Sequence, residues 1–287
     1  TAAYVEAHGG KALVLPGDVA NYDDLERAAE AVEIELGPID IWINNAMTTV
    51  LAPLWEITHQ EYKRVTEVTY LGYVYGTMIA LRRMRTRDRG TIVQVGSALA
   101  YRSIPLQSAY CGAKHAIRGF TDSLRSELIH EKSGIHITMV QMPALNTPQF
   151  DWCLDKMGRQ PQPVPPIYQP EVAAGAIYWS AYHKKRELNA GFRTSVILWG
   201  NKFFPGFGDR YLGKNGYDSQ FTEEPVQPDR AANLWHTVKG PFGAHGRFDT
   251  RSIPKAGFLW LATRLPGLSI AVFLIILIGG IVLLAMI

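Results

Sequence analysis

The sequence predicts a doubly wound α/β fold, a parallel sheet with helices packed on both faces. Three observations predict it. Short apolar runs alternate with longer amphipathic runs over residues 1–200. Each apolar run is nearly continuous rather than alternating, as strands buried on both faces require. Helix start and stop residues fall between the runs.

Taken in order, "AAYVEAHGGKALVLPGDV" reads as a helix end stopped at Gly9-Gly10, then a buried strand over Ala12 to Leu15. "NYDDLERAAEAVEIELG" has acidic residues in its first turn and Gly37 as its stop, which predicts a helix. "IDIWIN", Ile39 to Asn44, is a second strand. Thr58 and Glu61 have capping-box spacing and open a long helix to about Arg87. "GTIVQVGS" is a third strand, Ser108 to about Glu131 a helix, and "GIHITMVQM" a fourth strand. Pro170 suits the first turn of a helix reaching about His183, and "TSVILWG" supplies the last strand. Residues 201–267, punctuated by Gly and Pro, read as an irregular extension.

The chain has 287 residues, of which 47% are hydrophobic, enough for one large core. A net charge of +3, with no basic run interleaved with aromatics, points away from nucleic acid. Cys111 and Cys153 make neither a metal spacing nor a disulfide framework, which suits a reducing, cytosol-facing location. "LSIAVFLIILIGGIVLLAMI", Leu268 to Ile287, is an uncharged run of 20 residues. At about 1.5 Å per residue it reaches roughly 30 Å, a bilayer's hydrocarbon thickness, and predicts a transmembrane helix. Arg251, Lys255 and Arg264 precede it and no charge follows, so the preceding domain is expected to face the cytoplasm.

One pattern carries chemistry. In "YCGAK", Tyr110 and Lys114 stand at i and i+4, which puts them on one helix face about 6 Å apart. A free phenol has a pKa of about 10, and a neighbouring ammonium favours the phenolate. Ser97 ends a strand at the carboxyl edge of the sheet, where open α/β folds bind ligands. A hydroxyl there is placed to hold a substrate oxygen beside Tyr110. An isolated pair at this spacing is usually a surface accident; the preceding strand ending in serine is what argues for function.

"SAYCGAKHAIRGF", "VQVGS" and "IDIWINNAM" together resemble the short-chain dehydrogenase/reductase superfamily, over about residues 1 to 200 and in the family's order. The resemblance implies a Rossmann-like domain that transfers a hydride between NAD or NADP and an alcohol or carbonyl substrate. It implies Ser97, Tyr110 and Lys114 as catalytic serine, tyrosine and lysine, with Lys114 lowering the tyrosine pKa and binding the nicotinamide ribose. "NNAM" matches the Asn-Asn-Ala-Gly turn, with Asn45 and Ala46 beside the cofactor. "GDV" implies Asp18 facing the adenine and Val19 packed on it. "MPALNT" resembles Pro-Gly-x-x-x-Thr, implying Pro143 by the nicotinamide and Thr147 bonded to its carboxamide. A homo-oligomer is implied as well.

Three departures from the pattern stand out. Thr69, in "EVTYLG", replaces the asparagine that passes protons to water, so a modified relay is expected there. Met47 and Ala144 replace glycines near the cofactor cleft. No Gly-rich turn between a first strand and helix occurs, and Thr1 falls inside what corresponds to the third family helix. The first strands and the pyrophosphate turn are therefore expected to lie outside this sequence, and these residues alone are expected to hold the dinucleotide weakly.

Other residues have blander readings. Cys111 suits packing, and His115 is turned about 100° from Lys114. Phe150, Trp152 and Met157 sit where the family has its variable substrate loop, and read equally as pocket lining or packing. The five arginines of "RRMRTRDRG" suit a helix C-terminus better than phosphate binding. The sequence thus reads as a membrane-anchored oxidoreductase acting on an alcohol or carbonyl, lipophilic if the anchor sets the cleft near lipid. A non-catalytic nucleotide-binding or scaffold protein is the alternative, and a nucleotide-sugar epimerase branch is a second one, disfavoured by Asn44-Asn45-Ala46.

Overall fold

The computed structural model describes residues 1–227, 230–240, 242–265 and 267–269. In chain order the elements are α1 (Ala2–Ala7), α2 (Tyr22–Leu36), β1 (Ile41–Asn44), β2 (Val50–Leu51), α3 (His59–Thr66) and α4 (Gly72–Arg85). Then come β3 (Gly90–Val95), α5 (Ser108–His130), β4 (Ile135–Gln141), α6 (Gln149–Trp152), β5 (Leu154–Asp155), β6 (Arg159–Pro161) and β7 (Ile167–Tyr168). The chain continues through α7 (Pro170–Tyr182), β8 (Glu187–Asn189), α8 (Phe192–Phe203), α9 (Pro205–Asn215), β9 (Phe221–Pro225), β10 (Ser252–Ile253) and α10 (Gly257–Arg264).

The main sheet has the order β1-β3-β4-β8 and is parallel throughout. Successive residues of its strands feed opposite layers, as the pleat requires. Ile92, Ile135 and Ile137 pack with Ala29 of α2, Ile79, Ala80 and Met84 of α4 and Leu128 of α5. Val93, Val95 and Val140 face the other way, onto Ala173 and Ala176 of α7 and Ala262 of α10. Each fully buried Ile or Val stabilises the fold by about 1.5–3 kcal/mol. This is the doubly wound arrangement the alternating runs predict.

Local signals worked where their chemistry is self-contained. Asn21 caps α2, its side chain accepting from the Asp23 and Asp24 amides. Thr58 and Glu61 form both halves of the capping box that opens α3. The long helix predicted to Arg87 is interrupted between α3 and α4 by one wide π turn, Glu67–Leu71. Such turns break the i→i−4 ladder and often mark functional positions.

Three expectations are corrected. Ala12 to Leu15 is not a strand: the segment pairs with no neighbour, and Leu13, Val14 and Leu15 are exposed. An extended run without a ladder partner gives its backbone groups to water instead. "TSVILWG" is not the last strand but lies inside α8. The ladder slot beside β4 is taken by β8, through Met139↔Glu187, Val140↔Leu188 and Gln141↔Asn189. The residues after 200 are not irregular: α8 runs through that boundary, and α9, β9, β10 and α10 follow it.

Among the described residues no helix is long and apolar enough to cross a membrane. The predicted transmembrane run lies outside the described residues except for Leu268 and Ser269.

Candidate active site

Ser97 is placed by the way β3 ends. Gly96 has no room for a side chain, since a Cβ there would lie 2.3 Å from Gln141 Oε1. That same oxygen accepts the Ser97 amide at 2.8 Å, and the Gly96 and Ala98 amides donate to the Val140 and Met142 carbonyls. Ser97 Oγ accepts from the Leu99 amide at 3.1 Å. The hydroxyl is thus fixed at the carboxyl edge of the sheet, almost wholly buried.

Tyr110 and Lys114 stand one turn apart near the start of α5. The Lys114 ammonium lies 5.6 Å from the centre of the Tyr110 ring and 4.8 Å from that of Tyr73. It donates to the Val95 carbonyl at 2.7 Å and to the Tyr73 phenol at 3.2 Å, and the Tyr73 phenol donates to the same carbonyl at 3.0 Å. Lys114 is 2% exposed. Burial with no facing carboxylate brings its amine down to about 7. An uncompensated buried charge is the costly state, and shedding the proton relieves it.

The phenol of Tyr110 departs from expectation. Burial pushes its pKa well above the ordinary value, and a hydrogen bond with the Ser97 side chain pulls back against that. The predicted drop caused by the Lys114 ammonium is not found, because burial of the phenol outweighs what lowers it. Ser97, Tyr110 and Lys114 are nonetheless brought together as the sequence predicted.

Thr69 lies in the π turn and is fully buried. Its hydroxyl donates to the Thr48 carbonyl at 2.9 Å and accepts the Thr48 amide at 3.1 Å. It therefore clamps the helix to the segment after "NNAM". Asn44, the first residue of that turn, donates to Thr77 Oγ1 at 3.0 Å and Gln94 Oε1 at 2.9 Å, and accepts from Trp42 Nε1 at 2.8 Å. It joins β1, β3 and α4 through one side chain. Asn45 and Ala46 project into the open, while Met47 is half-buried.

The remaining predicted contacts are more committed to the protein. Asp18 pairs with Arg64 at 2.7 Å and accepts the Ala20 amide at 3.0 Å. Burial raises its pKa, but these two partners outweigh that and hold the carboxyl low. Val19 packs against Gly72, where a Cβ would fall 2.8 Å from its Cγ2. Pro143 and Thr147 are half-buried, and Gly246 approaches so closely that a Cβ would sit 2.6 Å from the Thr147 carbonyl oxygen.

The segment after β9 closes over this region, and sequence reasoning missed it. Asn233 accepts the Thr48 hydroxyl at 3.2 Å and donates to Gln149 Oε1 at 3.2 Å, so it bridges the two lips of the cleft. Leu234 is buried with Val50, Val65 and Ala109, and its carbonyl accepts Arg64 Nε at 3.0 Å. Phe150 meets Phe248 and Trp152 meets Phe242 edge to face, while Met157 packs near Cys153 and Phe221. These three residues hold the loop onto the extension.

The bland readings fare well elsewhere. Cys111 is a buried packing residue, and His115 Nδ1 meets the Cys111 carbonyl oxygen. The five arginines all meet carboxylates: Arg82 and Arg83 on Glu26, Arg85 on Glu131, Arg87 and Arg89 on Asp40.

Residues 1–154 match the family model described as short chain dehydrogenase. The chain is 30% identical over 267 residues to the uncharacterized oxidoreductase YxnA of Bacillus subtilis, covering 92% of this chain and 74% of that protein. It is 31% identical over 139 residues to a 3-dehydrosphinganine reductase of Danio rerio, covering 48% of this chain and 41% of that one. A short-chain dehydrogenase from Streptomyces avermitilis shares the fold, with a TM-score of 0.60 at 22% identity over 74% of this chain and 83% of its own. The strand-end serine, the tyrosine-lysine turn and these matches agree: the chain belongs to the short-chain dehydrogenase family of oxidoreductases.

Proposed function

We propose that the protein reduces a lipophilic ketone or aldehyde with NADH or NADPH, anchored to a membrane with this domain on the cytoplasmic side. The observation that carries the chemistry is the Ser97–Tyr110 contact beside a buried Lys114 whose amine is brought down to about 7. When bound, the dinucleotide supplies the hydride. Ser97 holds the substrate oxygen, and Tyr110 donates its proton to that oxygen as the carbonyl carbon gains the hydride. A phenol whose pKa is raised by burial stays protonated at neutral pH, so it carries the proton that the substrate oxygen takes up.

The residues present fit the nicotinamide–ribose half of such a cofactor. Beyond its bonds to Val95 and Tyr73, the Lys114 nitrogen has one position left for a ribose hydroxyl, an N–H when protonated and a lone pair when neutral. Asn45 and Ala46 are exposed and Pro143 and Thr147 half-buried, so all four stay open to a cofactor. Asp18 keeps 44% of its side chain exposed next to Arg64, enough for an adenine amino group to reach a carboxylate oxygen. The lipophilic class rests on the apolar run over Leu268 to Ile287 and on the Danio rerio relative, which is named a 3-dehydrosphinganine reductase. A dimer through the helices that carry Thr69 and Tyr110 is part of the same proposal.

The test compares long-chain ketones dispersed in phosphatidylcholine vesicles with small water-soluble ketones, following nicotinamide absorbance with each cofactor. Faster turnover of the lipid-phase ketones is expected. Preference for small polar substrates would remove the lipophilic assignment, and no turnover with any of them would favour a non-catalytic role.

A further inference from the structure

The α8–α9 pair carries an apolar face that the proposed chemistry does not use. Val196, Ile197, Phe203, Phe204, Phe207 and Tyr211 are all exposed, Phe207 to 71%. Large apolar side chains grouped in this way mark a contact surface rather than ordinary scatter. The pair is not a loose appendage. Arg102, five residues after Ser97, donates to Asn201 Oδ1 at 3.0 Å and the Pro205 carbonyl at 3.3 Å, and pairs with Asp209 at 2.7 Å. Asn201 in turn donates to the Tyr101 carbonyl at 2.7 Å. The apolar face is therefore rigidly tied to the segment that leaves the catalytic serine.

We propose that this face docks on an anionic lipid bilayer, setting the mouth of the Ser97–Tyr110 cleft at the membrane surface. Two observations choose the lipid over other occupants. The first is charge. Arg193, Lys202, Arg210 and Lys214 border the face and have no ion pair among the described residues. The single acid of the pair, Asp209, is spent on Arg102. A cationic rim around aromatic residues is the composition of a helix lying in the interface of an anionic membrane. The second is continuity with the apolar run. Phe258 of α10 packs on Phe192, the first residue of α8, at 5.4 Å between ring centres, and the uncharged run begins at Leu268, four residues after α10 ends. An anchor starting there holds α8–α9 within reach of the same bilayer. The docking inference rests on the anchored reading for this nearness alone; the rim and the aromatic face stand independently.

The experiment places a nitroxide at Phe207→Cys in the full chain; Cys111 and Cys153 are buried and poorly placed to compete for the label. A second label at Ile34→Cys, exposed near the end of α2 and away from the helices of the proposed dimer, serves as the reference. With vesicles of phosphatidylcholine and phosphatidylglycerol, the label at 207 is expected to become accessible to oxygen and shielded from a water-soluble nickel complex, while the label at 34 stays in water. Lys202→Glu with Lys214→Glu is expected to reduce that immersion at least several-fold, and pure phosphatidylcholine to do the same. A chain that floats with vesicles while its label at 207 stays in water overturns the docking face and leaves the anchor standing. Immersion at 207 in a chain that alkaline carbonate strips from the vesicles supports docking and overturns the anchor. Shielding at 207 without lipid overturns the lipid assignment. If that shielding depends on concentration it assigns the face to a second copy, and if not, to the chain's own apolar run.

Discussion

Replacing Lys114 by Met tests the electrostatics of the site most sharply, because it is expected to remove activity and raise stability together. The amine is 2% exposed and has fallen to about 7 from an ordinary 10.5. Below pH 7 both folded and unfolded chains are protonated there, and the folded state carries the full cost of the buried charge. Between about 7 and 10.5 the unfolded chain holds a proton that the folded chain does not, so stability rises with pH through that window and the cost is gone above it. At about 1.4 kcal/mol per unit the cost is about 5 kcal/mol at pH 6. Methionine fills the same space without a charge, and loses hydrogen bonds worth about 1–2 kcal/mol. The Val95 carbonyl keeps its bond from the Tyr73 phenol, so it is not orphaned. Lys114→Met should therefore be more stable by about 3 kcal/mol at pH 6, with the gain shrinking steadily towards pH 10. Urea denaturation of both proteins at several pH values measures this. A variant that is less stable at pH 6, or a difference that does not change with pH, would refute the lowered pKa of the buried amine.

Two further predictions follow from single side chains. Gln141→Met keeps the volume but removes the acceptor that holds the Ser97 amide at 2.8 Å. It should lower kcat roughly tenfold with little change in KM, and Gln141→Glu, which restores the acceptor, should recover part of it; equal kcat in all three would show that Ser97 needs no such support. Asn44→Ala strands the Trp42 indole N–H and Gln94 Oε1 in the buried network of β1, β3 and α4. A loss of about 3 kcal/mol is expected in chemical denaturation, and a loss below about 1 kcal/mol would mean that water replaces the side chain.

What could be read from the sequence was whatever is encoded locally. The capping box at Thr58 and Glu61 and the i, i+4 spacing of Tyr110 and Lys114 need only a few neighbouring residues, and both are found as predicted. Strand identity is not local. "TSVILWG" has strand composition, yet Glu187–Asn189 holds the ladder beside β4, and a short apolar run cannot reveal which segment wins. The direction of the Tyr110 shift was missed for a related reason. Spacing reports which group is near, whereas the shift depends on how completely the surroundings exclude water. Gln94 and Gln141 did leave a signal, as lone polar residues inside otherwise apolar strands, where a buried amide must find partners. Asn233 left none. Its partners Thr48 and Gln149 lie 185 and 84 residues away, and nothing around it marks it as the bridge across the cleft.

The most direct test of the central claim is Tyr110→Phe in the full chain, assayed by transfer of deuterium from labelled nicotinamide cofactor to a long-chain ketone. The exchange removes the hydroxyl that touches Ser97 and leaves the ring in place. Deuterium is expected in the product alcohol with the parent protein, with a fall of roughly 100-fold or more in the variant at unchanged fold. Equal transfer by parent and variant would contradict it.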